Sequence, residues 1–326
     1  MDTLTKELSG PVGQYLAGFP ARRRLHPFDN ALLDLTVGAE RYDAALSKLD
    51  AFRKVAVQVT KSYAARFGSA SNKREADELL ENGMAEVEEA LTPRSAILDE
   101  LKDIARDLRR LPVVDLSGCT VAMVGAPNVG KSSLVQLLST GTPEIRDYPF
   151  TTRSIKLGHF HAAGAKHQLT DTPGLLARPE ARRNAMERLT LATLRFLPTC
   201  ALFVADLTGQ CGTSVAQQWA IRQELKAQFP EKPWLDVLSK ADLLQAPLAE
   251  ADRLAGGGRS ASASAPASES APVSTAVDWL LAVPDALRVS SVSGSGVEEL
   301  RAALEGLAEA WLAAHRAEPS ECDGTL

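Results

Sequence analysis

The 326-residue sequence has few cysteines and few aromatic residues: there are four cysteines, and Phe, Trp and Tyr make up 5% of the chain. The cysteines show neither CxxC spacing nor the density of a disulfide scaffold, so we expect free thiols, a reducing compartment and no zinc site. No apolar run approaches the roughly 18 residues of a membrane-spanning helix, and the N-terminal MDTLTKELSG contains no apolar signal segment. We therefore expect no membrane partner.

A surplus of positive charge is also absent, because 36 Lys and Arg residues stand against 41 Asp and Glu residues, for a formal net charge of −5. This balance excludes a protein that binds nucleic acid through bulk charge, and we expect no DNA partner. Short arginine runs begin at Arg22, Arg109 and Arg182 and leave room for local RNA contacts. Such runs are more often solvated faces than binding sites.

Hydrophobic residues make up 45% of the chain, enough to bury two cores, and their spacing divides the chain in two. From about residue 29 to residue 111 they recur three or four positions apart with little proline, a pattern typical of packed helices. The segment GSASN at residues 68–72 predicts a break. We assign residues 1–112 to an all-α bundle of three to five helices.

The pattern changes after Pro112, where short apolar runs such as CTVAMVG and ALFVADL alternate with helical stretches. This alternation predicts an α/β fold, with a mostly parallel sheet and helices on both faces. We assign residues 113–318 to this second domain. An Ala/Ser/Pro-rich insertion at about residues 250–275 is expected to be disordered, and residues 319–326 to form a loose tail.

The most specific motif is GAPNVGKS at residues 125–132, a GxxxxGKS placed directly between an apolar strand and a helical stretch. Glycines let backbone N–H groups face phosphates, Lys131 can reach the β- and γ-phosphates, and Ser132 can bind Mg²⁺. A chance glycine-rich turn would lack these flanks, so we predict that residues 113–318 form a P-loop NTPase G domain. The predicted phosphate-binding residues are Gly125, Ala126, Pro127, Asn128, Val129, Gly130, Lys131, Ser132 and Ser133.

A second motif, DTPG at residues 171–174, ends a later apolar run. In a DxxG of this kind, Asp171 joins the Mg²⁺ shell and the Gly174 N–H meets the γ-phosphate, with Thr172 and Pro173 between them. DTPG alone could be an ordinary turn, but its distance from the first motif supports the nucleotide interpretation.

The segment YPFTTR at residues 148–153 lies between these motifs and predicts a switch loop. In such a loop a threonine hydroxyl completes the metal shell when the γ-phosphate is present. We favour Thr152 as this Mg²⁺ ligand, with Thr151 as the near alternative.

The segment SKAD at residues 239–242 stands where GTPases carry NKxD. Asp242 can accept hydrogen bonds from the guanine N1 and N2 donors, which adenine lacks, while the stem of Lys240 packs along the base. Ser239 replaces an asparagine and weakens one contact. Two alternatives are a helix N-terminus with solvated charges and an ATPase with relaxed base choice. Farther on, Ser290 and Ser291 belong to a segment that resembles the loop contacting the guanine O6.

Hydrolysis would depend on Lys131, Thr152 and Gly174. Leu175 occupies the position where a glutamine orients the attacking water in Ras-like enzymes, so we expect slow intrinsic turnover that a partner or a monovalent cation stimulates. Asn128 stands where potassium-stimulated GTPases carry a cation-binding asparagine, although it could equally be a turn residue. The alternative is a nucleotide-binding scaffold with negligible turnover.

The motifs GAPNVGKSS, YPFTTR and DTPGLL together resemble the translation-factor-class GTPases of the Obg-like branch. Two further stretches, ADLTGQCGTS at residues 205–214 and HPFDNALLDLTVGAERYDAAL at residues 26–46, resemble the nucleolar GTP-binding protein 1 family. The SK-D form of the base motif and the N-terminal LTKELSGPVGQYLAGFPARRR are most similar to its short plastid-targeted plant and algal members. The nucleolar members carry a long basic tail, which the chain lacks, and an asparagine in place of Ser239.

The resemblance implies a GTPase that acts in ribosome biogenesis, with GTP or GDP and Mg²⁺ as cofactors and K⁺ as a further expected ion. The implied partner is a precursor of the large ribosomal subunit, with its ribosomal RNA and proteins. We expect a monomer away from the ribosome and a chloroplast location, with the nucleolus or the cytoplasm as the alternative.

Overall fold

The computed structural model describes residues 2–111, 119–150, 155–256 and 273–315. The chain divides into two compact units, and the division falls between Leu111 and Pro112. None of the helices in the described ranges is long and apolar enough to cross a membrane.

The first unit is helical. Its helices are α1 (Asp2–Ala17), α2 (Pro27–Thr36), α3 (Ala39–Phe67), α4 (Lys73–Leu91) and α5 (Ala96–Arg109), with 3-10 turns at Arg22–Arg24 and Thr92–Arg94. Buried side chains of α2, α3 and α5 form its core, among them Leu33, Tyr42, Leu49, Leu101 and Ile104. The predicted break at residues 68–72 is confirmed: the Asn72 side chain accepts a hydrogen bond from the Glu75 N–H at 2.9 Å and caps α4.

Helix α1 lies outside the stretch in which the sequence indicated helices. It contains Pro11 and two glycines, Gly10 and Gly13, all of which weaken isolated helices. Val12 and Leu16 pack against the core of the bundle, so burial of its apolar side overrides the weak local propensity.

The second unit contains a seven-stranded sheet with the order β2-β3-β4-β1-β5-β6-β7. Its strands are β1 (Thr120–Val124), β2 (Glu144–Arg146), β3 (Ile155–Ala162), β4 (Ala165–Asp171), β5 (Thr199–Ala205), β6 (Trp234–Leu238) and β7 (Leu287–Arg288). Strand β3 pairs antiparallel with β2 and β4, and the other pairs are parallel. The predicted fold class, a helical bundle followed by a mostly parallel α/β sheet, is confirmed.

The helices of this unit are α6 (Lys131–Leu138), α7 (Ala185–Phe196), α8 (Val215–Gln228), α9 (Gln245–Gly256), α10 (Ala276–Ala282) and α11 (Val297–His315). All residues of β1 and β5 are buried, as expected of central strands covered on both faces. Trp279 of α10 is fully buried and lies 4.9 Å from the ring of Trp219 and 6.2 Å from that of Phe203. Aromatic packing thus ties α8 and α10 to β5.

The expectation of disorder over residues 250–275 is wrong at both ends. Helix α9 continues to Gly256, and its Ala251 is buried. On the other side Val273 is buried, and Thr275 forms a capping box with Asp278 at the start of α10. Ala251 and Val273 are ordered here because both belong to the hydrophobic core of the second unit. Residues 257–272 and the predicted tail at 319–326 lie outside the described residues.

A buried ion pair between α8 and β6 provides a test of this packing. Arg222 donates two hydrogen bonds to the carboxylate of Asp236, at 2.8 and 2.7 Å, and both side chains are buried. Asp236→Ala should lower the free energy of unfolding by about 3–5 kcal/mol, because a buried guanidinium loses its carboxylate. Urea denaturation followed by circular dichroism measures this.

Glu144→Ala is the control, because Glu144 pairs with Arg146 at 2.9 Å on the surface and its side chain is 64% exposed. Its loss should cost less than about 1 kcal/mol. Equal shifts of the two unfolding midpoints would contradict the importance of the buried pair.

Candidate nucleotide-binding site

The sheet brings the sequence motifs to one edge. Strand β1 leads into the GxxxxGKS loop, β4 ends at Asp171 of DTPG, and β6 ends at Leu238 before SKAD. In the register Met123 lies opposite Asp171, and Leu238 lies opposite Ala205 of β5. The carboxyl edge of parallel strands is where open α/β sheets bind ligands, so these loops form the candidate site.

The backbone of the GxxxxGKS loop explains its glycines. Gly125 has φ +144°, and a Cβ placed on it would lie 2.3 Å from the carbonyl oxygen of Val204. Gly130 has φ +99° and immediately precedes α6. Ala126 and Val129 are fully buried and anchor the loop to the core. The loop therefore leads directly into a helix N-terminus, whose positive potential favours phosphate.

Lys131, the first residue of α6, carries a buried ammonium. Its Nζ donates to the carbonyl oxygens of Ala126 at 2.6 Å and Gly125 at 3.2 Å. Burial lowers the pKa of Lys131 to about 8, although the nearby Asp171 carboxylate acts in the opposite direction. The loop thus holds a cation whose charge a phosphate group would stabilise.

Ser132 and Asp171 provide the candidate metal ligands. The Ser132 hydroxyl donates to Oδ2 of Asp171 at 2.5 Å, which brings a hydroxyl and a carboxylate together. Burial raises the pKa of Asp171, while the Ser132 hydrogen bond and the Lys131 charge oppose the rise. These oxygens fit Mg²⁺, which proteins bind through one or two carboxylates together with substrate phosphates. Within the described ranges, no cluster of three or more His, Cys, Asp or Glu could hold a metal.

The DTPG segment lies directly against the GxxxxGKS loop. The Thr172 hydroxyl donates to the Met123 carbonyl at 2.6 Å, and the Leu175 N–H donates to the Gly125 carbonyl at 3.0 Å. A Cβ on Gly174 would lie 2.6 Å from the backbone N and Cα of Pro127. Only glycine permits this approach. The two segments are therefore in steric contact, and a displacement of one towards the other displaces both.

Leu175 has a fully buried side chain, which belongs to the core cluster of the second unit. The position that follows DTPG is therefore turned into the protein. The next residue, Leu176, is held through its N–H, which donates to Oε1 of Glu187 at 3.1 Å. Arg178 also pairs with this buried carboxylate, whose pKa is lowered because hydrogen bonds from Arg178 and backbone N–H groups outweigh burial.

The SKAD loop is fixed to the end of β5. The backbone N–H and the hydroxyl of Ser239 donate to the Ala205 carbonyl, at 2.9 and 3.1 Å. Lys240 adopts left-handed angles, with φ +53°, and its Nζ donates to Asp206 at 2.6 Å. Asp242 is exposed.

The loop that contains Ser290 and Ser291 joins SKAD, because the Ala241 N–H donates to the Val289 carbonyl at 3.2 Å. Ser290 is buried, and its hydroxyl oxygen accepts hydrogen bonds from two N–H groups of its own turn. Ser291 is exposed. The structure therefore makes this loop a neighbour of the predicted base motif.

The structure thus brings together the GxxxxGKS, DTPG, SKAD and Ser290 segments. Thr151 and Thr152 lie outside the described residues, so the role of Thr152 as an Mg²⁺ ligand stays a prediction. Asn128 is exposed with φ +60°, which asparagine tolerates as a turn residue. Its role as a K⁺ ligand also stays a prediction.

Sequence reasoning gave no role to Asp206, the residue that pairs with Lys240. It stands in ADLTGQCGTS, a segment noted only for its family resemblance. One signal was available: Asp206 directly follows a continuous apolar strand, as the other motifs do.

Comparisons with known proteins identify the family. The family model for the nucleolar GTP-binding protein 1 N-terminal helical domain matches residues 1–115, and the nucleolar GTP-binding protein 1 model matches residues 185–242. The chain belongs to the nucleolar GTP-binding protein 1 family. It is thereby a member of the P-loop GTPases. The family model for ferrous iron transport protein B matches residues 119–191, which include GxxxxGKS and DTPG.

Two curated relatives are nucleolar GTP-binding protein 1 of Encephalitozoon cuniculi and of Arabidopsis thaliana. The first is 32% identical over 238 residues, 73% of this chain and 45% of that protein. The second is 32% identical over 239 residues, 72% of this chain and 35% of that protein. The chain thus spans less than half the length of either relative. Neither name refers to a plastid, so the plastid subgroup stays a prediction.

A solved structure, the putative nucleolar GTP-binding protein 1 from Plasmodium falciparum, is 25% identical. Its TM-score is 0.43, and the match covers 64% of this chain and 92% of that one.

The buried ammonium of Lys131 predicts a pH dependence of nucleotide binding. Phosphate attracts the protonated form, and burial lowers the pKa of Lys131 to about 8. A bound anion raises this pKa, so binding above pH 8 takes up a proton. The affinity for GDP should therefore fall as pH rises above 8, by up to about tenfold per pH unit. Titrations with fluorescent GDP measure this affinity at pH values from about 6.5 to about 9.5, a range that spans the pKa of Lys131.

Lys131→Arg is the control, because a guanidinium stays protonated throughout this range. Its affinity should depend less on pH than that of the parent. Parallel profiles of the two proteins would assign the pH dependence to a group other than Lys131.

The close approach of Gly174 to Pro127 predicts a second effect. Gly174→Ala should push the DTPG segment off the loop, because its Cβ would lie 2.6 Å from backbone atoms. We expect GTP to bind about tenfold more weakly while GDP changes little, because the predicted backbone donor to the γ-phosphate would move away. Displacement of fluorescent GDP by GTP and by GDP measures both affinities.

Gly306→Ala in α11 is the matched control, because a Cβ there has no atom within 4 Å. It should leave both affinities unchanged. An unaltered ratio of GTP to GDP affinity in Gly174→Ala would show that this contact does not sense the third phosphate.

Proposed function

We propose that this protein is a guanine-nucleotide switch that binds and hydrolyses GTP during assembly of the large ribosomal subunit. The observation that carries the nucleotide part is the meeting of GxxxxGKS, DTPG and SKAD at one edge of the sheet. Family membership supports GTP as the ligand, since the matched family model and both relatives are named GTP-binding proteins. The ribosomal part rests on the family resemblance.

Each site residue has a distinct task in this proposal. Lys131 exchanges its hydrogen bonds to loop carbonyls for the β- and γ-phosphates. Ser132 and Asp171 would hold Mg²⁺, which would neutralise charge on the phosphates. Gly174 offers its N–H to the γ-phosphate, and its contact with Pro127 links that event to the DTPG segment. Loss of the γ-phosphate releases the segment, and the protein changes state.

Hydrolysis in this switch is slow without help. The buried side chain of Leu175 offers no group to orient water, so a partner or a cation must complete the machinery. The same observation favours a second candidate, a nucleotide-binding scaffold with negligible turnover. Turnover measured with and without large-subunit precursor particles separates the two, because the scaffold stays inactive in both.

K⁺ stimulation through Asn128 is part of the same proposal. A bound K⁺ would supply positive charge near the phosphates in place of an arginine. Rates in KCl and NaCl compare the two cations directly. Equal slow rates would leave Asn128 as an ordinary turn residue.

The ribosomal partner and the compartment come from family resemblance, and the arginine runs add little to them. Arg22 pairs with Asp43 at 2.8 Å, and the buried Arg183 pairs with Glu224 at 2.5 Å. The charges of these two arginines are thus taken up within the protein, whereas the other five arginines of the runs are exposed. We propose a chloroplast location, with the nucleolus or the cytoplasm as the alternative. A fluorescent fusion of the full chain distinguishes these compartments.

Displacement of fluorescent GDP by GTP, ATP and XTP tests the nucleotide function first. GTP should displace the label, and ATP should not, because Asp242 accepts hydrogen bonds from donors that adenine lacks. Lys131→Ala should bind neither GDP nor GTP tightly. Asp242→Asn should shift preference from GTP towards XTP, because an amide can donate to the xanthine 2-carbonyl.

Equal displacement by ATP and GTP would mean that SKAD does not select guanine and would favour an ATPase. Normal binding by Lys131→Ala would contradict the assignment of the phosphate loop. Asp99→Asn, which removes a 77% exposed carboxylate from α5 of the first unit, should behave like the parent.

A further inference from the structure

Asp206 and Lys240 form an ion pair between two neighbouring strands. Oδ2 of Asp206 accepts a 2.6 Å hydrogen bond from Nζ of Lys240, and the carboxylate side chain is fully buried while the lysine side chain is 26% exposed. Asp206 directly follows β5, and Lys240 lies in the loop after β6, which pairs with β5 in parallel. The pair therefore joins the base motif to the centre of the sheet.

The surroundings of Asp206 fix its carboxylate. Oδ1 accepts hydrogen bonds from the Thr208 N–H at 2.8 Å and the Thr208 hydroxyl at 2.5 Å. The side chain of Gln218 on α8 accepts from the Asp206 N–H at 2.9 Å and donates to its carbonyl at 2.8 Å. Burial would raise the pKa of Asp206, but hydrogen bonds from Lys240 and Thr208 lower it, so the carboxylate stays ionised.

The backbone around Lys240 is also held, by hydrogen bonds of its neighbours. Ser239, which precedes it, makes two hydrogen bonds to the Ala205 carbonyl, and the N–H of Ala241, which follows it, donates to the Val289 carbonyl at 3.2 Å. Lys240 itself has left-handed backbone angles. With both ends fixed, its four methylene groups lose the rotamer freedom that an unanchored lysine keeps.

We propose that Asp206 is a positioning residue for guanine recognition: its carboxylate holds the Lys240 stem as a fixed apolar wall beside the base. The inference rests on the proposed guanine site. The anchored stem sets the plane of the base, so that the guanine donors lie within reach of Asp242. Because Lys240 is already held in one rotamer, less conformational entropy is lost when the base binds. Asp206 and Ala205 thus hold the loop in place while Ser239 occupies the asparagine position.

Asp206→Asn is the variant that tests the role, because the amide keeps the size and the acceptor for Thr208 but loses the negative charge. The affinity for GDP should fall about tenfold, as expected when a charge-assisted bond is lost. Inorganic pyrophosphate, a probe without a base, should bind as it does to the parent. Both affinities are measured by displacement of fluorescent GDP in Mg²⁺ buffer.

A double-mutant cycle with Lys240→Met decides whether Asp206 acts through the lysine. In the Lys240→Met background, Asp206→Asn should change the GDP affinity less than about twofold. An equal loss in both backgrounds, or an equal loss for pyrophosphate, would overturn the proposal and leave Asp206 a structural residue.

Thr208→Val covers the case in which Asp206→Asn does not fold. It removes the hydroxyl donor to Oδ1 but keeps the ion pair, so it should give a smaller loss that also disappears with Lys240→Met. A loss that persists in that background overturns the proposal as well. The affinities of the unchanged protein for GDP and ADP test the proposed function separately. If the two affinities are equal, the site does not select guanine, and the inference fails together with the proposed function.

Discussion

The parallel register of β1 between β4 and β5 is the constraint on which the rest of the structure depends. It places Met123 opposite Asp171 and Val124 opposite Phe203. Since the parallel strands end at a common edge, loops that are far apart in the chain meet there. The phosphate loop, the DTPG segment and the base motif are neighbours because of this register.

Two lysines at this edge follow the same physical plan. Lys131 is held by carbonyl oxygens of its own loop, and Lys240 by the carboxylate of Asp206. Each of these flexible side chains has a partner within the protein. In the proposed function Lys131 exchanges its partners for phosphates, whereas Lys240 keeps Asp206. The Ser132–Asp171 contact orders the candidate metal ligands in the same way. These side chains of the candidate site are therefore held by neighbours within the protein.

The sequence predicted best what is local. GxxxxGKS could be recognised because its glycines, its lysine and its flanking strand and helix are contiguous in the chain. Helix α1 lies within the predicted bundle, but the sequence did not indicate it individually, because Pro11 weakens its local signal and its stability depends on packing against the bundle. The ends of the insertion were missed for the related reason that Ala251 and Val273 look like unstructured composition until the core around them is known.

The sequence by itself determined the fold class, through its alternation of apolar runs and helical stretches, and the family. It also supplied the predicted phosphate, metal and base motifs, because each is a short run with a fixed spacing. Only the tertiary structure decided which distant residues complete those motifs. It paired Asp206 with Lys240, pressed Gly174 against Pro127 and buried Leu175. These are contacts across strands and loops, and their geometry depends on sheet register and core packing, which no single segment encodes.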